Sequence, residues 1–159
     1  VSLEDGHLPI YGMPGTGKTT FLQTFLFSLA TRHSPEHLHF YLLDFGRTLR
    51  DFSYLPHVGS VILDNESDKI KRLFHYLLQE VSRRRELLAN SGVKTLRAYQ
   101  MSTGITVPRI VVCIDGYLNF RNQYAYENDQ LEQLLREGGS VGLSFVVTAN
   151  RNTDILERI

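Results

Sequence analysis

Four short apolar runs stand out along the chain, separated by longer stretches in which apolar residues recur every three or four positions. The runs are LPIYG (residues 8–12), HFYLLDF (residues 39–45), RIVVCID (Arg109–Asp115) and LSFVVTA (Leu143–Ala149). Each is nearly continuous in hydrophobicity rather than alternating, the pattern of a strand covered by helices on both faces. Between the first two, Phe21, Leu22, Phe25, Leu26 and Leu29 repeat at helical spacing, and that helix must end before Pro35. A second helix is predicted from near Asp68 to the Asn90-Ser91-Gly92 breaker, with Ile70, Leu73, Phe74, Leu77, Leu78, Val81 and Leu88 on one stripe. A third, shorter helix holds Leu131, Leu134 and Leu135 and stops at Gly138-Gly139. The stretch from Ser53 to Asn65 is less regular, with VILDN as a small extra strand. Strands alternating with helices, without internal repeats, predict an α/β fold with a mainly parallel sheet.

Composition narrows this picture only a little. At 159 residues, 42% of them hydrophobic, residues 1–159 form one domain with a sizeable core. Seventeen basic residues balance seventeen acidic ones, so no overall field draws the chain to nucleic acid or to an anionic membrane surface. Cys113 is the only cysteine and lies inside the third run, which excludes an intramolecular disulfide, fits a reducing compartment and reads as a small core side chain. No run approaches about 18 apolar residues, and no signal-peptide pattern opens the chain. Any membrane anchor is expected outside these residues, in a longer chain of which this one is expected to be a fragment.

The chemistry begins at GMPGTGKT, residues 12–19, which matches G-x-x-x-x-G-K-[ST] in full between an apolar strand and a helix. Glycines let the backbone fold with its N–H groups inward, and the helix dipole adds positive potential at the same spot. The candidate nucleotide-binding residues are Gly12, Pro14, Gly15, Thr16, Gly17, Lys18, Thr19 and Thr20. Within them Lys18 would reach the β- and γ-phosphates of ATP, and the Thr19 hydroxyl would ligate Mg²⁺. Asp115, closing the third run, is the candidate for the aspartate that holds the magnesium water shell. The usual P-loop arrangement with an additional strand places the fourth run between the first and third. That brings Thr148 and Asn150 near the γ-phosphate, as sensors of the attacking water or as strand-end residues satisfying their own turn.

With loop, strands and spacing assembled, the chain resembles the FtsK/SpoIIIE family of P-loop ATPases, and within it the tandem ATPase domains of type VII secretion proteins. The residues carrying this are GMPGTGKTTFLQT, LHFYLLDFG, LPHV, KIKRLFHYLLQEVSRRRELL, PRIVVCID and REGGSVGLSFVVTANR, in the family's order over nearly the whole chain. The resemblance implies a RecA-like core, ATP and Mg²⁺ as ligands, and a membrane-bound bacterial parent with this domain on its cytoplasmic side. It also implies neighbouring ATPase domains, secreted proteins rather than nucleic acid as partners, and a homo-oligomer as one assembly. By position, Lys18 and Thr19 are its Walker A pair and Asp115 its Walker B aspartate. Two departures stand out. Gly116 occupies the place of the family's catalytic glutamate, and the C-terminal strand expected beyond the P-loop strand is missing. Phosphate binding rests on backbone amides, Lys18 and metal, whereas a positioned acid contributes about 10²–10⁴-fold to rate. The departure at Gly116 therefore predicts ATP binding with weak or absent hydrolysis, unless a carboxylate comes from elsewhere. Asp44 is expected about one strand spacing (~5 Å) from Asp115, and the resemblance implies that it lies on the wrong side of the metal to substitute. The alternatives are an active motor with a borrowed acid and a nucleotide-free interaction module.

Three further features have two readings each. Arg84 of the Arg83-Arg84-Arg85 run projects onto the apolar stripe of its helix, either as a core stem with a salt bridge or as a contact to a neighbouring domain. The aromatic cluster Tyr117, Phe120, Tyr124 and Tyr126 follows Asp115 on an expected loop, either as a protein interface or as local packing. His37 and His39 lack cysteine or acidic partners at ligand spacing, so they read as strand-entrance residues rather than as a zinc site.

Overall fold

The computed structural model describes residues 6–154. Its five strands are β1 (Leu8–Tyr11), β2 (Leu38–Asp44), β3 (Val58–Ile62), β4 (Arg109–Asp115) and β5 (Leu143–Ala149). They form one parallel sheet in the order β1-β5-β4-β2-β3. The last strand in sequence lies between the first and the fourth, so the C-terminal ends of β1, β5 and β4 stand side by side. Among the described residues, no strand pairs with the free side of β1.

The continuous runs resolve into two buried faces because successive side chains of a strand point to opposite sides. On one face Val111, Cys113, Val146, Phe40 and Leu42 pack with Leu22 and Leu26 of α1 (Lys18–Arg32). On the other, Ile110, Val112, Ile114, Phe145 and Val147 pack with Ile70, Phe74, Leu77 and Val81 of α2 (Ser67–Asn90). Leu131 and Leu134 join that second face. Burial, followed by the negative charges of Asp115 and Asp44, pushes the Cys113 thiol well above its usual range, so it remains a protonated core side chain.

Three elements differ from the sequence reading. The extra strand is real, but it runs Val58–Ile62 and shares only Val61 and Ile62 with VILDN, and it forms the sheet edge beside β2. A helix α3 (Leu96–Thr103) was not anticipated, because it is short and half polar. Its ends are nonetheless marked: the Thr95 hydroxyl accepts the Ala98 N–H, and Gly104 caps the other end with φ 70°. The expected aromatic loop is instead a helix, α4 (Tyr117–Gln123), followed at once by α5 (Ala125–Glu137), which begins earlier than its leucines suggest. Tyr117, Phe120 and Tyr124 are buried: Phe120 packs with Phe45 and Phe74, Tyr124 with Phe45, and Tyr117 with Phe120. Of the four aromatics only Tyr126 is exposed, so local packing replaces the interface reading for the other three.

Arg84 takes the core reading. Its side chain is 3% exposed and pairs with Glu80 at 2.8 Å. It also donates to the carbonyls of Val141 (2.9 Å) and Pro108 (2.8 Å). Arg83, 59% exposed, shares Glu80 from outside, and Arg85 pairs with Glu137.

His7, just before β1, is expected to give the fold a pH dependence. Its Nδ1 accepts the Phe145 N–H at 3.0 Å, so the ring proton sits on Nε2 and is donated to the Leu135 carbonyl at 2.9 Å. Desolvation lowers its pKa below 6.5 and outweighs the opposing pull of that carbonyl. The unfolded ring therefore binds its proton at a higher pH than the folded ring. The contribution of neutral His7 is fully present above about 6.5 and is lost as pH falls from there toward the folded value. Between about pH 7 and about pH 5 the urea midpoint of His7→Gln is expected to fall less than that of the wild-type chain. Equal falls would show that His7 is not linked to folding.

Candidate functional site

The loop after β1 turns back on itself before α1 begins. The Thr16 N–H and hydroxyl both reach the Met13 carbonyl, at 3.2 and 2.7 Å. Gly15 and Gly17 have φ of 83° and 87°, values that side-chain-bearing residues rarely adopt. Gly17 is the N-cap of α1, with no side chain capping the helix and no acidic residue in its first turn. The first N–H groups of α1 and the positive end of its dipole are thus directed at whatever occupies the loop.

Strand order brings the other parts together. Lys18 Nζ donates to the Gly12 carbonyl at 2.9 Å and to Asn150 Oδ1 at 2.7 Å, across 132 residues of sequence. The Gly12 N–H donates to the Ala149 carbonyl at 3.1 Å, tying the start of the loop to the end of β5. Asp115 is buried and receives the Thr148 hydroxyl on Oδ1 (2.6 Å) and the Thr48 hydroxyl on Oδ2 (3.1 Å). A cavity of about 380 Å³ opens between these elements, within the usual range for ligand sites. Pro14, Gly15, Lys18, Thr19, Asp115, Thr148 and Asn150 all line it. Gly12, Thr16 and Gly17 shape the loop behind it, while Thr20 is exposed on the first turn of α1 and does not line it. Its donors near Thr19 and Asp115 are hydroxyl and carboxylate oxygens, with no sulfur or imidazole among the described residues of the lining, a set suited to a small hard cation such as Mg²⁺.

The carboxylate closest in register to Asp115 is Asp44, its direct strand neighbour. It is fully buried and turned away: its oxygens accept the N–H groups of Thr48 (2.9 Å) and Leu49 (3.1 Å). Asp44 shapes a turn and supplies no substitute acid. Gly116 has φ 97°, caps α4, and donates its N–H to Thr148 Oγ1 at 2.9 Å. Sequence reasoning missed Gly46, Thr48 and Asn119, which also line the cavity. Gly46 closes the LHFYLLDFG stretch without being read as a site residue, Thr48 and Asn119 belong to no motif, and the turn after β2 and the first turn of α4 carry them there.

Comparison with known proteins agrees with this geometry. The profile of the FtsK/SpoIIIE family matches residues 1–159. The type VII secretion system protein EssC of Staphylococcus aureus (strain NCTC 8325 / PS 47) is 32% identical over 150 residues, which is 92% of this chain and 10% of that protein. The chain thus spans about a tenth of the length of the curated relatives it matches. Among solved structures, EssC (ATPases 2 and 3) from Geobacillus thermodenitrificans superposes with a TM-score of 0.93 at 30% identity, covering 98% of this chain and 30% of that one. Thermomonospora curvata EccC (ATPases 2 and 3), solved with a signal sequence peptide, gives 0.92 at 30% identity, covering 100% of this chain and 30% of that one. The chain belongs to the FtsK/SpoIIIE family, and within it is similar to the ATPase domains of the type VII secretion proteins EssC and EccC.

Proposed function

We propose that this chain is the ATP-binding domain of a type VII protein secretion ATPase. It takes ATP with Mg²⁺ through residues 12–20 and hydrolyses it slowly or not at all. Occupancy of the cavity orders its contacts with a neighbouring ATPase domain or with a secreted protein. The observation that carries the reading is the convergence of Lys18, Thr19 and Asp115 on one cavity at the capless N-terminus of α1. Lys18 and the first amides of α1 hold the phosphates, Thr19 and Asp115 hold the cation, and Asn150 holds Lys18 in place. Mg²⁺ bound there would neutralise phosphate charge, and among the described residues the lining offers no carboxylate beyond Asp115 to draw a proton from water.

The tandem ATPases of the EssC neighbour support a neighbouring domain as partner, and the peptide in the EccC structure supports a secreted one. This reading puts the domain on the cytoplasmic side of a cell membrane, as part of an anchored protein, and the secretion-system relatives support it. No helix among the described residues is long and apolar enough to cross a membrane itself.

Calorimetric titration with ATP and Mg²⁺ tests the binding claim. Lys18→Ala is expected to weaken binding about 10- to 100-fold, the loss of a hydrogen-bonded charge at the phosphates. A wild-type chain that binds no better than Lys18→Ala would sink the proposal.

A further inference from the structure

The Asp115 carboxylate is gripped from two sides, and only the grip from β5 lies where a motif would place it. Thr148 Oγ1 accepts the Gly116 N–H, so its single proton is committed to Asp115 Oδ1. The second grip comes from the turn after β2, where Thr48 Oγ1 donates to Asp115 Oδ2 at 3.1 Å. Thr48 is itself placed by contacts outside the cavity. Asp44 holds its N–H at 2.9 Å, and Gln23 of α1 donates to its carbonyl at 2.8 Å. The turn can approach because residue 46 has no side chain: a Cβ on Gly46 would stand 2.6 Å from Asp115 Oδ2. Gly46 and Thr48 line the same cavity as Thr19.

We propose that Thr48 is a positioning residue for metal binding at Asp115. Its hydroxyl fixes one carboxylate oxygen, so that the free lone pairs of Asp115 and of Thr48 itself face the cavity and a hydrated cation there. The inference rests on the Mg-ATP reading of this cavity. Gly116 leaves Asp115 as the only carboxylate among the described residues that line it, so the orientation of that one group governs the metal. Hydrogen bonds that orient a ligating group are worth about 10–100-fold in metal affinity. Holding Thr48 from buried Asp44 and from α1, rather than from the loop, keeps this grip independent of the phosphates.

The test compares ATP affinity in excess Mg²⁺ and in EDTA for the wild-type chain, Thr48→Val and Thr48→Ser, with thermal unfolding as a control for folding. Thr48→Val is expected to keep its affinity in EDTA within about twofold and to lose about tenfold of the enhancement by Mg²⁺. Thr48→Ser, which restores a hydroxyl, should recover most of it. Mn²⁺ titration followed by electron paramagnetic resonance should show the same order without any turnover. Full Mg²⁺ enhancement in Thr48→Val would overturn the inference, as would an equal loss with and without metal, which would mark Thr48 as merely structural. A wild-type chain that binds ATP under neither condition would instead defeat the Mg-ATP reading beneath it.

Discussion

Replacing Arg84 by alanine is expected to destabilise the chain by about 3–5 kcal/mol, the cost of removing one member of a buried ion pair. For a domain of this size that is a fall of roughly 10 °C in Tm. Three elements lose a partner together. Nε serves Glu80 on α2, Nη1 the Val141 carbonyl before β5, and Nη2 the Pro108 carbonyl before β4. A buried and a part-buried carbonyl deprived of this donor, and a carboxylate left with only its outer arginine, carry the penalty. Lysine cannot repair this, because a single ammonium lacks the planar fork that spans three acceptors, so Arg84→Lys should recover only a minor part. Arg83→Ala provides the contrast. It touches the same Glu80 but is 59% exposed, and a change within about 0.5 kcal/mol is expected. A shift below about 1 kcal/mol for Arg84→Ala in urea unfolding would show that the guanidinium is dispensable.

The second large effect concerns turnover. The chain is expected to hydrolyse ATP about 10²–10⁴-fold more slowly than P-loop ATPases with a positioned acid after the strand aspartate. Gly116→Glu should not repair it. With φ 97° and ψ 55°, residue 116 turns the chain out of β4 and straight into α4. A side chain in this region costs about 1–2 kcal/mol, and its Cβ would meet Phe45 Cβ at 3.2 Å. The backbone here is built around glycine, so a glutamate would not stand where an extension of the strand would hold it. Gly116→Glu and Gly116→Ala should therefore lose similar stability, and steady-state phosphate release should stay low in both. A rise of about 100-fold in Gly116→Glu would mean that the site lost only its acid and kept its geometry.

Much of this protein follows from short-range pattern. The strands β1, β2, β4 and β5 are continuous apolar runs, and α1 and α2 are stripes at helical spacing. The phosphate loop is a contiguous motif in its proper context, and Asp115 closes a buried strand. Such features depend on residues within a few turns of one another, so the one-dimensional order already contains them. The order β1-β5-β4-β2 also followed, once the loop implied its fold, whereas the place of β3 at the sheet edge did not.

Other features depended on which distant atoms meet. The apolar-aromatic stretch after Asp115 has the same composition whether it is loop or helix, and burial against Phe45 and Phe74 decides for α4. Two readings of Arg84 were open, and the carbonyls of Val141 and Pro108 close the choice. Asp44 could only be placed beside Asp115, until its oxygens proved engaged by the turn that follows. Thr48 carries no signature, since a threonine after a strand is ordinary. It enters the site because parallel pairing of β2 with β4 carries it across 67 residues to Asp115. The sequence alone determined that a loop carrying the phosphate-binding motif and a buried acidic strand end are present. Only the tertiary structure decided how that acid is held and what stands beside it, because hydrogen bonds between strands depend on register and approach rather than on neighbours in the chain.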